Sequence, residues 1–330
     1  MRAGHVGGAR HERGGDAPPP FGAPAGPLTA TPVAPTAYDR LRPASPRVDV
    51  SALVRTRARH PEAVAEAAAR RARRPLLDGS GRLMIVAADH PARGVLAVGD
   101  RKLAMAGRAD LLERLCLALS RPGVDGVLAT ADILDDLLLL GVLDGKVVIG
   151  SMNRGGLAGS AFEMDDRFTA YDADSIAAAG YEGGKMLLRI DPDDPGTVAT
   201  LEACGNAVSQ LASRRVMAMV EPFISHRVDG RVRNDLTAEA MIRAMTVAAG
   251  LGTTSAYTWL KVPVVREMEQ VMAATTLPAL ILGGEGEAAY EEWRKALGLP
   301  TVQGLVIGRS LLYPARGSVA DAVDRAVSLL

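Results

Sequence analysis

Residues 83–91 read LMIVAADHP: six apolar residues from Leu83 to Ala88, closed by Asp89, His90 and Pro91. A short apolar run with β-branched residues at its centre predicts a fully buried strand. The residues directly after that strand decide between two folds. An open, doubly wound sheet carries a glycine fingerprint directly after its first strand, and here a carboxylate, an imidazole and a proline occupy that place. Seven more runs succeed it, at 126–129, 146–151, 184–190, 216–221, 256–262, 278–282 and 304–307, with amphipathic stretches such as 108–119, 197–212, 237–250 and 286–297 between them. Eight apolar strands alternating with helices over about 250 residues predict an α/β fold, a single (β/α)8 TIM barrel.

Outward from the barrel, the chain reads in three parts. Residues 1–48 are rich in proline, glycine and alanine and poor in large apolar residues, which predicts a disordered tail. Residues 49–82 read as an N-terminal helical extension, broken or restarted at Pro61, and 83–330 as the barrel. The basic cluster Arg70, Arg71, Arg73 and Arg74 reads as a solvated helix face.

Composition excludes several function classes. Lysine plus arginine and aspartate plus glutamate are 38 each, so no global charge attracts nucleic acid or a membrane. Cys116 and Cys204 stand far apart and read as buried thiols, which removes a disulfide scaffold. Five histidines, three of them before residue 61, leave only His90 and His226 for the body, too few for a multi-histidine zinc centre. The longest apolar run, Leu137 to Leu143, is far short of a membrane span, and the chain reads as cytoplasmic.

Lysine is the scarce cation: Lys102, Lys146, Lys185, Lys261 and Lys295 are the only five, against 33 arginines. Barrel active sites form at the C-terminal ends of the strands. Those positions hold Asp89 after the first strand, Lys185 on the fourth, Glu221 ending the fifth and Lys261 ending the sixth. Lysine inside a doubly covered strand is costly unless it is paired or neutral. A neutral amine there is a nucleophile, a role closed to arginine, which stays protonated. Carboxylates at the same level can shuttle protons during imine formation and serve a departing hydroxyl. The alternative is structural ion pairing among the same four residues. Gly283-Gly284 and Gly308-Arg309 come after the last two strands, where such barrels commonly hold phosphate through backbone N–H groups.

These residues resemble the class I aldolases of (β/α)8 fold, in the branch containing tagatose-bisphosphate aldolase, sulfofructosephosphate aldolase and DhnA-type fructose-bisphosphate aldolase. The resemblance is nearest to the actinobacterial Cgl0159-like proteins. It rests on Ala87-Ala88-Asp89-His90-Pro91 with Arg93-Gly94, Lys185-Met186-Leu187-Leu188 leading to Asp191-Pro192, Val220-Glu221-Pro222, and Leu260-Lys261-Val262-Pro263. It spans about residues 83 to 313. Pro91-Ala92 and Asn153-Arg154-Gly155-Gly156 depart from the better-known members.

The resemblance implies a metal-independent lyase without a cofactor beyond the covalent lysine imine. Lys261 would form the Schiff base and Lys185 and Glu221 would assist proton transfer, with Glu221 or a water it holds deprotonating the leaving hydroxyl. Asp89 would orient the substrate hydroxyl, and Gly283, Gly284, Gly308 and Arg309, with Arg93, would bind substrate phosphate. The implied partner is a small phosphorylated sugar, and the implied assembly a homo-oligomer. A candidate substrate, through inositol breakdown, is 2-deoxy-5-keto-gluconate 6-phosphate, cleaved to dihydroxyacetone phosphate and malonate semialdehyde. Arg93, Arg154 or Arg227 could meet its carboxylate, although each also reads as an ordinary surface arginine. Deoxyribose-phosphate- or transaldolase-type chemistry on the same lysine, or a sugar-phosphate-binding regulator without catalysis, are the alternatives.

Overall fold

A computed structural model of the chain describes residues 47–284 and 286–330. The expected tail lies outside them except for its last two residues. Eight parallel strands close a barrel: β1 (Leu83–Ala87), β2 (Gly126–Ala129), β3 (Val147–Ser151), β4 (Gly183–Ile190), β5 (Met217–Val228), β7 (Thr258–Pro263), β8 (Ala279–Leu282) and β9 (Val302–Ile307). The order runs β4-β3-β2-β1-β9-β8-β7-β5, and β4 pairs with β5 to complete the ring. The ninth strand, β6 (Arg231–Asp235), pairs antiparallel with the overhanging end of β5, outside the ring. Among the described residues no helix is long and apolar enough to cross a membrane.

Parity along the strands sorts the core into two layers. Leu83, Ile85, Ala87, Leu128, Val147, Ile149, Met217, Met219, Trp259, Leu280 and Val306 fill the barrel interior. Their neighbours Met84, Val86, Val148, Met186, Val220 and Leu260 face the surrounding helices. Continuing the inward series by two residues towards the C-terminal ends reaches Asp89, Ser151, Glu221 and Lys261, and on β4 the step from Gly183 reaches Lys185. The polar residues of the mouth are thus the top layer of the interior, held by the same ladder that orients the apolar layers.

Two helices, Val50–Arg59 and Ala63–Arg70, precede the barrel, and the chain between them turns at Pro61. Arg57 ties the first to the helix Ala131–Leu139 through Asp136, at 2.8 Å. The segment leading from the second helix into β1 lies against the N-terminal end of the barrel, where Leu76 and Leu77 pack on the interior residues. Here the expectation of a solvated basic face needs correcting. Arg71 is buried against Glu182 at 3.0 Å and donates to the carbonyls of Lys146 and Gly180. Arg74 holds Asp125 at 2.6 Å. Carboxylates at the starts of β4 and β2 draw these arginines in, and only Arg70 and Arg73 of the cluster stay largely exposed.

Candidate active site at the C-terminal mouth of the barrel

Four of the expected residues converge. Lys185 Nζ lies 3.0 Å from Asp89 Oδ2 and 2.5 Å from Glu221 Oε2, and Lys261 Nζ lies 3.1 Å from that same Glu221 oxygen. All four are buried. The register explains the meeting: Ser151 pairs with Lys185 across β3 and β4, and Leu187 with Glu221 across β4 and β5.

A fifth charged residue extends the row. The Asn153 side chain clasps the backbone of Leu187, donating to its carbonyl at 2.5 Å and accepting its N–H at 2.8 Å. This fixes the chain leaving β3, and the next residue, Arg154, donates to both Asp89 and Ser151. Ser151 itself reaches Asp89 at 3.5 Å. Across the mouth the charges alternate: Arg154, Asp89, Lys185, Glu221, Lys261. Arg154 is buried rather than a surface residue.

The charges set the protonation of the row. Burial pushes the Glu221 carboxyl up, but Lys185 and Lys261 together outweigh it and hold the group down to about 2. Burial acts against Asp89 in the same way, and Lys185 and Arg154 hold it well below the usual carboxylate range. Lys185 is pushed down by burial, against the pull of Asp89 and Glu221. His90 stands beside the row, its Nδ1 3.7 Å from Asp89 Oδ1, and burial lowers its pKa to about 4. At neutral pH its ring is uncharged.

The two glycine turns flank this row, because β8 and β9 lie between Lys261 on β7 and Asp89 after β1. Gly283 and Gly284 both take left-handed backbone, φ +79° and +89°, and the Gly283 carbonyl accepts from Trp293 Nε1 at 2.9 Å. Gly308 is required by close approach: a Cβ there would stand 2.6 Å from the Ala87 carbonyl oxygen and 3.1 Å from His90 Cε1. Arg309 is half-buried and donates to the Ala97 carbonyl at 3.4 Å.

Arg93 is not part of this row. Its guanidinium pairs with Asp166, tying the turn after β1 to the loop after β3, and Arg189 pairs with Glu163 at 2.5 Å, tying that loop to β4. Arg227 holds Asp194 at 3.0 Å. Sequence reasoning missed Ser151 and the placement of Arg154. Ser151 carried a usable signal, since it continues the inward parity of Val147 and Ile149. Among the described residues no cluster of three or more histidine, cysteine or acidic side chains could hold a metal ion.

Comparison with known proteins places this architecture. A family model described as Cgl0159-like matches residues 81–327. The chain is 56% identical to Cgl0159 from Corynebacterium glutamicum, whose crystal structure superposes with a TM-score of 0.83 over 84% of this chain and 95% of that one. Two more distant structures share the fold. The fructose-bisphosphate aldolase of Slackia heliotrinireducens is 16% identical, with a TM-score of 0.58 over 86% and 93% of the two chains. An archaeal fructose 1,6-bisphosphate aldolase is 18% identical, with a TM-score of 0.52 over 81% and 97%. No curated protein matches the chain. With the family model covering most of the barrel and a close structural relative beside it, the chain belongs to the Cgl0159-like family.

Proposed function

We propose that the protein is a class I aldolase, a lyase that cleaves a phosphorylated ketose or keto-sugar acid through an imine on Lys261. The observation that carries this reading is the pair of buried lysine amines sharing one oxygen of Glu221 at the mouth of the barrel. Lys185 is already engaged by two carboxylates, whereas Lys261 pairs, among the described residues, with Glu221 alone.

In this reading the Lys261 amine attacks the substrate ketone, and Glu221, 3.1 Å away, passes protons to and from the carbinolamine oxygen. The iminium then accepts the electron pair of the breaking C–C bond. Lys185 keeps the site cationic, and Asp89 faces the hydroxyl end of the substrate. Gly283, Gly284, Gly308 and Arg309 receive the phosphate. No step calls on a metal or on a cofactor beyond the lysine imine. The three arginines considered for a substrate carboxylate, Arg93, Arg154 and Arg227, each hold a carboxylate of the protein itself. For 2-deoxy-5-keto-gluconate 6-phosphate this leaves the phosphate and ketone as the recognised groups, and it belongs first in a panel of ketose phosphates.

The test is incubation with dihydroxyacetone phosphate and borohydride, followed by peptide mass spectrometry. A reduced adduct on Lys261 is expected. An adduct on Lys185 would exchange the roles of the two lysines, and no adduct across the panel would overturn the Schiff-base reading.

A further inference from the structure

His90 is the member of the site that the Schiff-base mechanism leaves unused. Its Nδ1 is buried and has no hydrogen-bond partner among the described residues. A buried nitrogen in that state calls for an explanation, since such groups are nearly always paired. Asp89 Oδ1 stands 3.7 Å away, the carboxylate oxygen that Lys185, Arg154 and Ser151 do not use. A movement of about 0.8 Å would bring the two to hydrogen-bond distance. The side chain is nevertheless 26% exposed, and since Nδ1 is buried that exposure belongs to the rest of the ring. Gly308 makes room for the ring, since any Cβ there would press on Cε1.

We propose that His90 is a further catalytic residue, the base that deprotonates the substrate hydroxyl during C–C cleavage, with Asp89 orienting it. The proposal rests on the Schiff-base reading and completes it. The hydroxyl proton passes to Nε2 as the carbinol carbon becomes a carbonyl. The C–C bond breaks, and its electron pair moves into the iminium to give the enamine. After the aldehyde leaves, the imidazolium returns the same proton to the enamine carbon, which restores the iminium and the neutral ring. One proton has moved from oxygen to carbon, and no other reactant is needed.

The carboxylate otherwise available, Glu221, is gripped by two lysines and held at about 2, whereas His90 stands at about 4 and is uncharged. With one oxygen of Glu221 occupied by both lysines, the uncharged imidazole is the group free to accept a proton. The charges that face it are Asp89 just after β1, Arg309 beyond β9, Lys261 from β7 and Glu221 from β5.

Dihydroxyacetone phosphate in D2O isolates the proton step, because exchange of its carbon-bound hydrogen runs through the same enamine. For His90→Asn the expected result is the wild-type borohydride adduct on Lys261 with deuterium incorporation reduced at least ~100-fold. In His90→Ala, added imidazole should restore exchange, which a purely structural role would not allow. Exchange at the wild-type rate in His90→Asn, or no restoration in a His90→Ala protein that still forms the adduct, would overturn the assignment. Failure of the wild-type protein itself to form any adduct would defeat the Schiff-base reading, and this one with it.

Discussion

The two ends of the barrel solve the same electrostatic problem with different cations. At the N-terminal end, Glu182 is met by Arg71 at 3.0 Å and also accepts the Val148 N–H, while Asp125 is met by Arg74 and accepts the Met84 N–H. Each carboxylate there is tied to a guanidinium and a backbone amide. At the C-terminal end, Asp89 and Glu221 face Arg154, Lys185 and Lys261, and the two cations that share a carboxylate oxygen there are lysines. Arginine cannot give up its proton, whereas lysine can. In the proposed reading the guanidinium pairs of the lower end only hold the chain together, and the lysines of the upper end also exchange protons.

The most severe way to break this contrast is to give the upper end the cation of the lower one. Lys261→Arg keeps the charge but removes the free amine, and activity should fall by at least ~10⁴-fold, with no borohydride adduct. A folded variant that retained aldol cleavage would sink the nucleophile assignment.

Glu221→Gln is the next largest. It leaves both lysines without their shared carboxylate and should lower kcat by about 10²–10⁴-fold. It also has a pH signature. Glu221 in the folded protein lies near 2, below its ordinary value of 4.5, because Lys185 and Lys261 overcome the effect of burial. A depressed carboxyl stabilises the fold above its unfolded pKa, and that stabilisation drains away as pH falls from about 4.5 towards about 2. Acid titration of stability in the wild type should show this loss, and Glu221→Gln should flatten it over that window. Identical acid profiles for the two proteins would contradict the charge row.

At the lower end the effect should move from rate to stability. Arg71→Met strands Glu182 without its buried partner, and removing one member of a buried pair costs about 3–5 kcal/mol. Denaturant midpoints should fall accordingly, while kcat per folded molecule stays at the wild-type value. A drop in kcat with unchanged stability would erase the distinction between the two ends.

Much of this architecture is legible in the sequence because buried parallel strands write themselves as continuous apolar runs. The run 146–151 differs from β3 by one residue, and the four polar strand-end residues come from the fold rule alone. The hairpin formed by β6 and the overhanging end of β5 escapes such a reading, since residues 224–235 are mostly polar and carry no apolar run. Its signal is local: Asp229-Gly230 takes left-handed backbone at both positions, φ +50° and +74°, as a two-residue hairpin turn demands. Arg154 and Arg71 are hidden for another reason. Their partners Asp89 and Glu182 lie 65 and 111 residues away, and a composition count cannot show which carboxylate the barrel brings beneath a given arginine. Arg93 stands near the expected site in the chain, yet loop packing commits it to Asp166.

The finest division falls within the lower end, on a single carboxylate. Arg71 and Arg73 both approach Glu182 Oε1, at 3.0 and 3.2 Å, so by distance they are near equals. Their side chains differ in exposure, 2% against 60%. Arg73 keeps most of its hydration, its attraction is screened by water, and it spends side-chain entropy to hold one geometry. Arg71 has no water to return to, and it also satisfies two backbone carbonyls. Arg73→Ala should therefore shift stability by no more than ~0.5 kcal/mol, with a further decrease of the effect in high salt. A loss comparable to that of Arg71→Met would mean that contact with the carboxylate, rather than burial of the cation, fastens this end of the barrel.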